Sequence, residues 1–434
     1  MGRTSDNAGD VSSAAAIVHL RPGHVQPIWA GHPWVYAQAI ARIEGQAPVP
    51  GDVVRVIDPH GHAIGRGFWS PRKAIPVRLV TRDDSESLDD ERWLIDRIER
   101  AKRRRAAIGL PAWSADGKPI TSGYRLLHAE GDAVPGLVID VFGVDASGKG
   151  GTVVVQVGTA GLRRRAAQVV AAIEATLAPS AILDRTTKNV AEGEGFTLDD
   201  RFVVRGPVDA LRFFERGLAF SVPSDVGQKT GFYFDQRMLR ARVEELSRDR
   251  RVLDTYTYVG PIALAAARGG ARSVLAIDDS MKALEVGMNC ARENGLSVQF
   301  TRGDVRKELP RLAGEGQRYD LVVLDPPKLA PTRGDRDAAA QYQTRLVESA
   351  CSVVAEDGIL VVCSCSTALG SAELARCLAI GARKAGRGAT VLERLGQGGD
   401  HPVPAAFPEG IYLSTLIAEI SGKPSERDRA EIRP

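Results

Sequence analysis

Two cysteines, Cys363 and Cys365, close the apolar run "GILVVCSCS". On a strand, alternate residues share a face, so both thiols point one way while Ser364 and Ser366 point the other. A thiol there is either a small hydrophobe filling a buried strand or a nucleophile at the strand's open end. Acids close the neighbouring apolar runs: Asp254 after "RVL", Asp278 after "SVLAI", Asp304 after "VQFTRG" and Asp325 after "YDLVVL". In an open parallel sheet, ligands bind beyond the carboxyl ends of the strands. Four carboxylates and a thiol on successive ends therefore form one candidate site. Asp278 follows Asp254 at close to the ~20-residue separation at which an acid meets a ribose hydroxyl in nucleotide-binding sheets.

The loop after Asp254 reads "TYTYVGP", with Gly260 as its one glycine. A pyrophosphate wants several glycines and a helix N-terminus, which disfavours a NAD-dependent dehydrogenase. A nucleoside cofactor without phosphate fits better, and S-adenosylmethionine is that cofactor. In "LDPPKLAP" two prolines follow Asp325. They cannot continue a ladder, and they stiffen the loop that holds the carboxylate. Asp-Pro-Pro after a strand points to methyl transfer to a base; the plainer reading is a rigid turn.

The elements that position these groups alternate from about Gly206 onward. "RVLDTY", "SVLAID", "VQFTRGD", "YDLVVLDPP" and "GILVVCSCS" read as strands, with helical "PIALAAARGG" and "SMKALEVGMNCARENGL" between them. Continuous apolar strands separated by helices predict a parallel, doubly wound α/β sheet. Upstream, short runs such as "GDVVRVIDPHGHAIGRGFWS" predict a small all-β unit, with His60 and His62 in its turn rather than as metal ligands. From about Leu88 to Val204, two helices among strands predict an α+β unit.

Composition narrows the class. The chain has 434 residues, 44% hydrophobic and 26% charged, which is ordinary for a globular protein of two or three domains. Its five cysteines all lie past residue 289 without a CxxC pair. That excludes a disulfide framework, argues against a metal centre and fits a reducing cytoplasm. No run reaches the ~20 apolar residues of a membrane span. The opening "MGRTSDNAGDVSSAAA" lacks the basic-then-apolar order of a signal peptide and is expected to be a disordered leader. With a net charge of +3 there is no global basic field, so any nucleic-acid contact must be local. Arg100, Arg103, Arg104 and Arg105 on the helix "RIERAKRRRAAIG" are candidate phosphate contacts, and Arg163 to Arg165 form a second cluster. A solvated helix face is the competing reading of both.

Taken in order, "GHPWVY", "YRLLHAEGDAVPGLVIDVFG", "GQKTGFYFDQR", "LDPPK", "CSCS" and "DHPVPAAFPEGIYL" resemble the bacterial large-subunit rRNA methyltransferase I family, over roughly residues 17 to 420. That family methylates cytosine C5 in 23S rRNA. The resemblance implies a PUA domain (17–87), a central α+β domain (88–205) and a Rossmann-like, S-adenosylmethionine-dependent methyltransferase domain (206–420). A leader (1–16) and a charged tail (421–434) flank them. It implies Cys365 as nucleophile, with Asp325 and Lys328 beside it. Cofactor contacts fall on Phe232, Tyr233, Gln236, Arg237, Asp254, Tyr256, Tyr258, Gly260, Asp278, Asp304 and Asp325. Implied partners are large-subunit rRNA, no membrane, and a homodimer as one oligomeric option. The sequence departs from the family pattern at Val259 and Pro261, where the loop usually carries a threonine and a second glycine, and at Leu329, where an aromatic is usual.

Cytosine C5 is too weak a nucleophile to take a methyl group from a sulfonium unaided. A thiolate adding to C6 makes C5 enamine-like, and loss of the C5 proton later expels the thiol. The thiol must be partly ionised, for which Lys328 is the nearest cation in sequence. Cys363 is then packing. Two other readings stay open: methylation of a base nitrogen, which needs no thiol, and an RNA-binding assembly factor that has lost catalysis.

Overall fold

In the computed structural model, residues 14–72, 74–198, 204–206, 208–226, 230–328, 336–367 and 369–422 are described. Most of the expected leader and tail lies outside them, as do Gln228, Lys229 and Leu329. The chain divides into two compact units. One comprises 1–214 with 228–232 and 399–410; the other comprises 215–227, 233–398 and 411–434.

The first unit begins with a six-stranded sheet built from short strands between Ala16 and Thr81. Every second residue of Ala16–Leu20 is buried, and Val18 joins Val35, Val54, Val56 and Val77 in a small core. This is the β unit that the alternation predicts. Next comes the helix Arg92–Ala107, then a five-stranded sheet whose strands include Gly123–His128, Leu137–Phe142 and Thr152–Val157. Trp93, Leu94 and Ile98 of the helix share one core with Leu126, Ile139 and Val153 of that sheet.

The basic run on this helix splits by helical phase. Arg100 and Arg103 are exposed. Arg104 is half exposed, donating to the Gly131 carbonyl at 2.8 Å and to Asp132 at 3.0 Å. Arg105 is fully buried, and this corrects its assignment to an RNA-facing surface. Its guanidinium makes a two-pronged pair with Asp132, both contacts 2.8 Å, and donates to the carbonyls of Arg125 (2.9 Å) and Asp400 (2.7 Å). The other cluster is also engaged within the fold. Arg163 pairs with Asp184, Arg164 with Asp52, and Arg165 lies over the Phe68 ring. The single helix expected there is two, Ala160–Arg164 and Ala166–Leu177, because Arg165 leaves helical geometry.

The segment 399–410 is pinned to this unit by the same buried network. Asp400 accepts the Arg125 backbone N–H at 3.1 Å, and the His401 ring sits 4.9 Å from that of His128. Burial, together with the cationic neighbours Arg125 and Arg105 and the second histidine, holds His128 well below the usual histidine range.

The second unit carries a seven-stranded sheet: β1 (Arg251–Thr255), β2 (Ser273–Asp278), β3 (Gln299–Arg302), β4 (Tyr319–Leu324), β5 (Val354–Ser364), β6 (Gly388–Leu395) and β7 (Ser414–Ser421). Its order is 3-2-1-4-5-7-6, parallel through β5, with β7 antiparallel to both β5 and β6. Val252, Leu321 and Val361 face one core, while Leu253, Val322 and Leu360 face the other. Both faces are dry, so the strands read as continuous apolar runs. The β6–β7 pair is absent from the sequence expectation. β6 alternates half-buried and exposed residues at the sheet edge, a weak signal beside the buried strands.

Arg105→Met leaves the buried Asp132 carboxylate without its two-pronged partner and is expected to cost about 3–5 kcal/mol. Arg100→Ala, on the exposed face, is expected to stay within about 0.5 kcal/mol. Urea unfolding of the two variants checks the contrast, and equal losses would refute the structural role given to Arg105.

Candidate active site

The strand order reverses between β1 and β4, and the acids at their carboxyl ends meet there, where an open sheet forms its crevice. Asp254, the fourth residue of β1, is 1% exposed. Its Oδ2 accepts from the Thr257 hydroxyl and from the Ala263 N–H at 3.1 Å, while Oδ1 is buried without a hydrogen-bond partner. Burial, reinforced by Asp325 and Asp278 nearby, lifts its pKa to about 7 against the pull of those donors. Asp278 ends β2. One oxygen accepts from Tyr258 N–H at 2.8 Å and the other from Ser280 N–H at 3.0 Å, yet burial still raises its pKa.

The loop between them is tightly wound. Tyr256 and Tyr258 take left-handed backbone with φ of 58° and 55°, and Gly260, φ 77°, precedes the helix Pro261–Arg268. A Cβ at Gly260 would stand 2.8 Å from the Phe300 ring. Pro261 occupies the first helical turn, where its missing N–H costs no hydrogen bond. Val259 and Pro261 therefore leave the loop intact, and Thr257 supplies a hydroxyl to Asp254. Thr257 is a site residue that the sequence reading passed over; its signal was a hydroxyl three residues beyond a strand-end acid.

At the opposite wall, Gln236 Nε2 donates to Asp325 Oδ2 at 3.1 Å. The Tyr233 ring stands edge-on to Tyr258 with centroids 5.6 Å apart. Burial, Tyr258 and the negative fields of Asp235, Asp325 and Cys365 push the Tyr233 hydroxyl above its usual range. These influences put Tyr233, Tyr258, Asp325 and Cys365 in one neighbourhood. Asp235 accepts the Tyr412 hydroxyl at 2.8 Å, a support that sequence reasoning missed because 177 residues separate the partners.

β5 ends at Ser364, so the strand alternation no longer governs Cys365. Cys363 is sealed in the core, where Thr415 donates to its sulfur at 3.5 Å and burial pushes its pKa far up. Cys365, one residue past the strand, is only partly buried. Lys328 is exposed after the two prolines.

Four other residues assigned to the cofactor or RNA have partners within the fold. Phe232 is buried in the first unit, edge-on to Phe213 at 4.8 Å. Arg237 lies over the Phe234 ring and 3.7 Å from Glu215. Asp304 caps the helix Val305–Gly314 and pairs with Arg306 at 2.6 Å. Arg105 belongs to the buried network described above. Among the described residues, no group of three or more His, Cys, Asp or Glu is arranged to hold a metal ion.

The donor set fits S-adenosylmethionine. That molecule offers ribose hydroxyls and an ammonium to acidic acceptors, and its positive charge suits the negative field that Asp325 and Asp278 place on Asp254. The same acids repel a pyrophosphate. Fold and site together define a Rossmann-like, S-adenosylmethionine-dependent methyltransferase.

Comparison with known proteins agrees. A PUA-like domain pattern matches residues 18–82, and an S-adenosylmethionine-dependent methyltransferase pattern matches residues 198–408. The chain is similar to ribosomal RNA large subunit methyltransferase I of Erwinia tasmaniensis, 33% identical over 92% of this chain and 98% of that protein. It is equally similar to the protein of the same name from Shewanella amazonensis, 33% identical over 93% and 99%. The fold also matches a solved SAM-dependent methyltransferase from Streptococcus mutans, with TM-score 0.75 and 16% identity over 93% of this chain and 99% of that one. The chain belongs to the ribosomal RNA large subunit methyltransferase I family.

Two outcomes test the site. Asp278→Ala is expected to raise the S-adenosylmethionine Kd about tenfold or more, since a hydrogen bond to a charged group is worth ~1.5–3 kcal/mol. Calorimetry giving an unchanged Kd would move the ribose contact elsewhere. Because the folded Asp254 pKa is raised to about 7, above the unfolded value, its neutral form favours the fold. That contribution is present below about pH 4 and is lost as pH climbs through 7, at about 1.4 kcal/mol per pKa unit. Unfolding free energies of wild type and Asp254→Asn, compared between pH 4 and 7, should diverge accordingly; parallel profiles would refute the assignment.

Proposed function

We propose that this enzyme methylates C5 of a cytosine in large-subunit ribosomal RNA, with Cys365 as its covalent nucleophile. The observation that carries this reading is the contrast among the five cysteines. Four are buried, and burial raises the pKa of each; Cys365 alone is partly accessible, beside Asp325 and Tyr233. A thiol kept for packing has no reason to sit at the open end of β5.

S-adenosylmethionine, when bound, supplies an electrophilic methyl group. The chain's own residues do the rest. Cys365 adds as thiolate to cytosine C6, turning C5 into an enamine-like nucleophile. Asp325, positioned by Gln236, accepts from the exocyclic amine and fixes the ring, and Lys328 provides the cation that favours the thiolate. After methylation, transfer of the C5 proton to a solvent water restores the C5–C6 double bond as the C6–S bond breaks and expels the Cys365 thiolate. Attack at C6 comes from the ring face, so the base must be unstacked or single-stranded.

Arg100, Arg103 and Arg104 are the cations left to meet phosphates without sequence preference. The domain limits at 87/88 and 205/206 and a cytoplasmic location belong to this reading as well. Pairing of two copies is open to light scattering.

Cys365→Ser is expected to bind RNA and S-adenosylmethionine yet transfer no methyl group, because a hydroxyl is far less ionised near neutral pH. RNA carrying 5-fluorocytosine should trap the wild-type enzyme covalently at Cys365, since fluorine cannot leave as a proton does. An adduct mapped to Cys363, or robust turnover by Cys365→Ser, overturns the assignment. Methylation of a base nitrogen without any adduct overturns the C5 chemistry altogether.

A further inference from the structure

A cavity of about 300 Å³ opens in the first unit, and none of the acids of the second unit's sheet lines it. Pro27 and Ile28 line it on one side, Trp34 and Tyr36 on another, and Glu409 reaches it from the arm 399–410. The size is at the lower end of small-ligand pockets, and the lining of aromatic and apolar groups around one charged residue is the usual recipe for such a site.

The carboxylate is held in place. Tyr36 donates its hydroxyl to Glu409 Oε1 at 2.8 Å, and His32 Nε2 lies 3.3 Å from Oε2. His32 Nδ1 lies 3.1 Å from both the backbone nitrogen and the backbone oxygen of Trp34, which fixes the ring beside Glu409. Trp34 is itself anchored through Nε1 to Glu130 at 2.8 Å and packs edge-on against Phe407 at 4.6 Å. The Glu409 side chain remains 29% exposed. The Glu409 backbone N–H also reaches the carboxylate, and the roughly four lone-pair sites of a carboxylate leave acceptor capacity beyond these neighbours. Trp29, on the helix that supplies Pro27 and Ile28, is 72% exposed, an indole face with no fold to support.

A fixed anion repels a phosphate and accepts N–H donors, so on an RNA the pocket suits a base and not the backbone. Among the bases, guanine places two adjacent donors, N1–H and the 2-amino group, on one edge, matching the two oxygens of a carboxylate. We propose that this pocket binds one unstacked guanine of the RNA, with Glu409 accepting from both donors and Trp29 stacking a neighbouring base. This rests on the reading that the enzyme acts on RNA, and it adds a recognition site separate from the methylated base.

Fluorescence anisotropy on the full chain, with uridine nonamers carrying a central guanosine, inosine or uridine, tests it. Wild type is expected to bind the guanosine oligonucleotide about tenfold tighter than the all-uridine one, with inosine in between because it lacks the 2-amino group. Glu409→Gln should erase the preference, while Trp29→Ala should weaken all three alike. Equal affinity for guanosine and inosine in wild type overturns the proposal without recourse to any variant, as does a preference that survives Glu409→Gln. If 5-fluorocytosine RNA is still trapped in the same preparation, the failure concerns this pocket alone. If neither trapping nor RNA binding is seen, the RNA reading itself falls and the pocket with it.

Discussion

Carboxylates crowded out of water at one edge of a parallel sheet set the terms for this molecule. Asp254, Asp278 and Asp325 stand at neighbouring strand ends, and burial together with the fields of Asp325 and Asp278 makes Asp254 hard to ionise. The fold tolerates the arrangement because backbone and hydroxyl donors meet most of the oxygens: Ala263, Tyr258 and Ser280 through N–H groups, Thr257 through its hydroxyl. The left-handed turns at Tyr256 and Tyr258 are part of the same solution, since they bring the Tyr258 N–H onto Asp278. Such local strain persists only where surrounding contacts over-determine it. The concentrated negative field that remains suits a cationic nucleoside cofactor.

The first unit depends on a different buried charge system. Arg105, Asp132, Arg125, Asp140, Asp400 and the two histidines form a connected polar cluster under the five-stranded sheet. Buried ion pairs contribute little net stability compared with apolar packing, but they are unforgiving of misplacement. Here the cluster fastens the arm 399–410, whose later residues Phe407 and Glu409 complete the wall around Trp34 and Tyr36. A surface feature of the N-terminal β unit is thus set by residues almost four hundred positions away.

Much of the fold could be read without coordinates. The β-rich start, the mixed centre and the alternating α/β end each follow from local periodicity, and the acids at strand ends follow from where apolar runs stop. β6 escaped because a half-exposed edge strand lacks a continuous apolar run. Arg105 escaped for another reason. A run of five cations looks uniform in sequence, and only the helix phase turns one of them inward against Asp132.

The sequence by itself determined the chemistry on offer: a thiol and four acids at strand ends, one glycine in the cofactor loop, and prolines behind Asp325. Residue type and strand periodicity are local properties, so they survive without knowledge of packing. Tertiary structure decided the surroundings of those groups. It sealed Cys363 beneath Thr415 while β5 ended in time to leave Cys365 accessible, it engaged Asp304 with Arg306 and Arg237 with Glu215, and it brought Gln236 to Asp325 across 89 residues. Burial and partner choice depend on surfaces that meet only when distant segments pack, and no spacing within the chain encodes them.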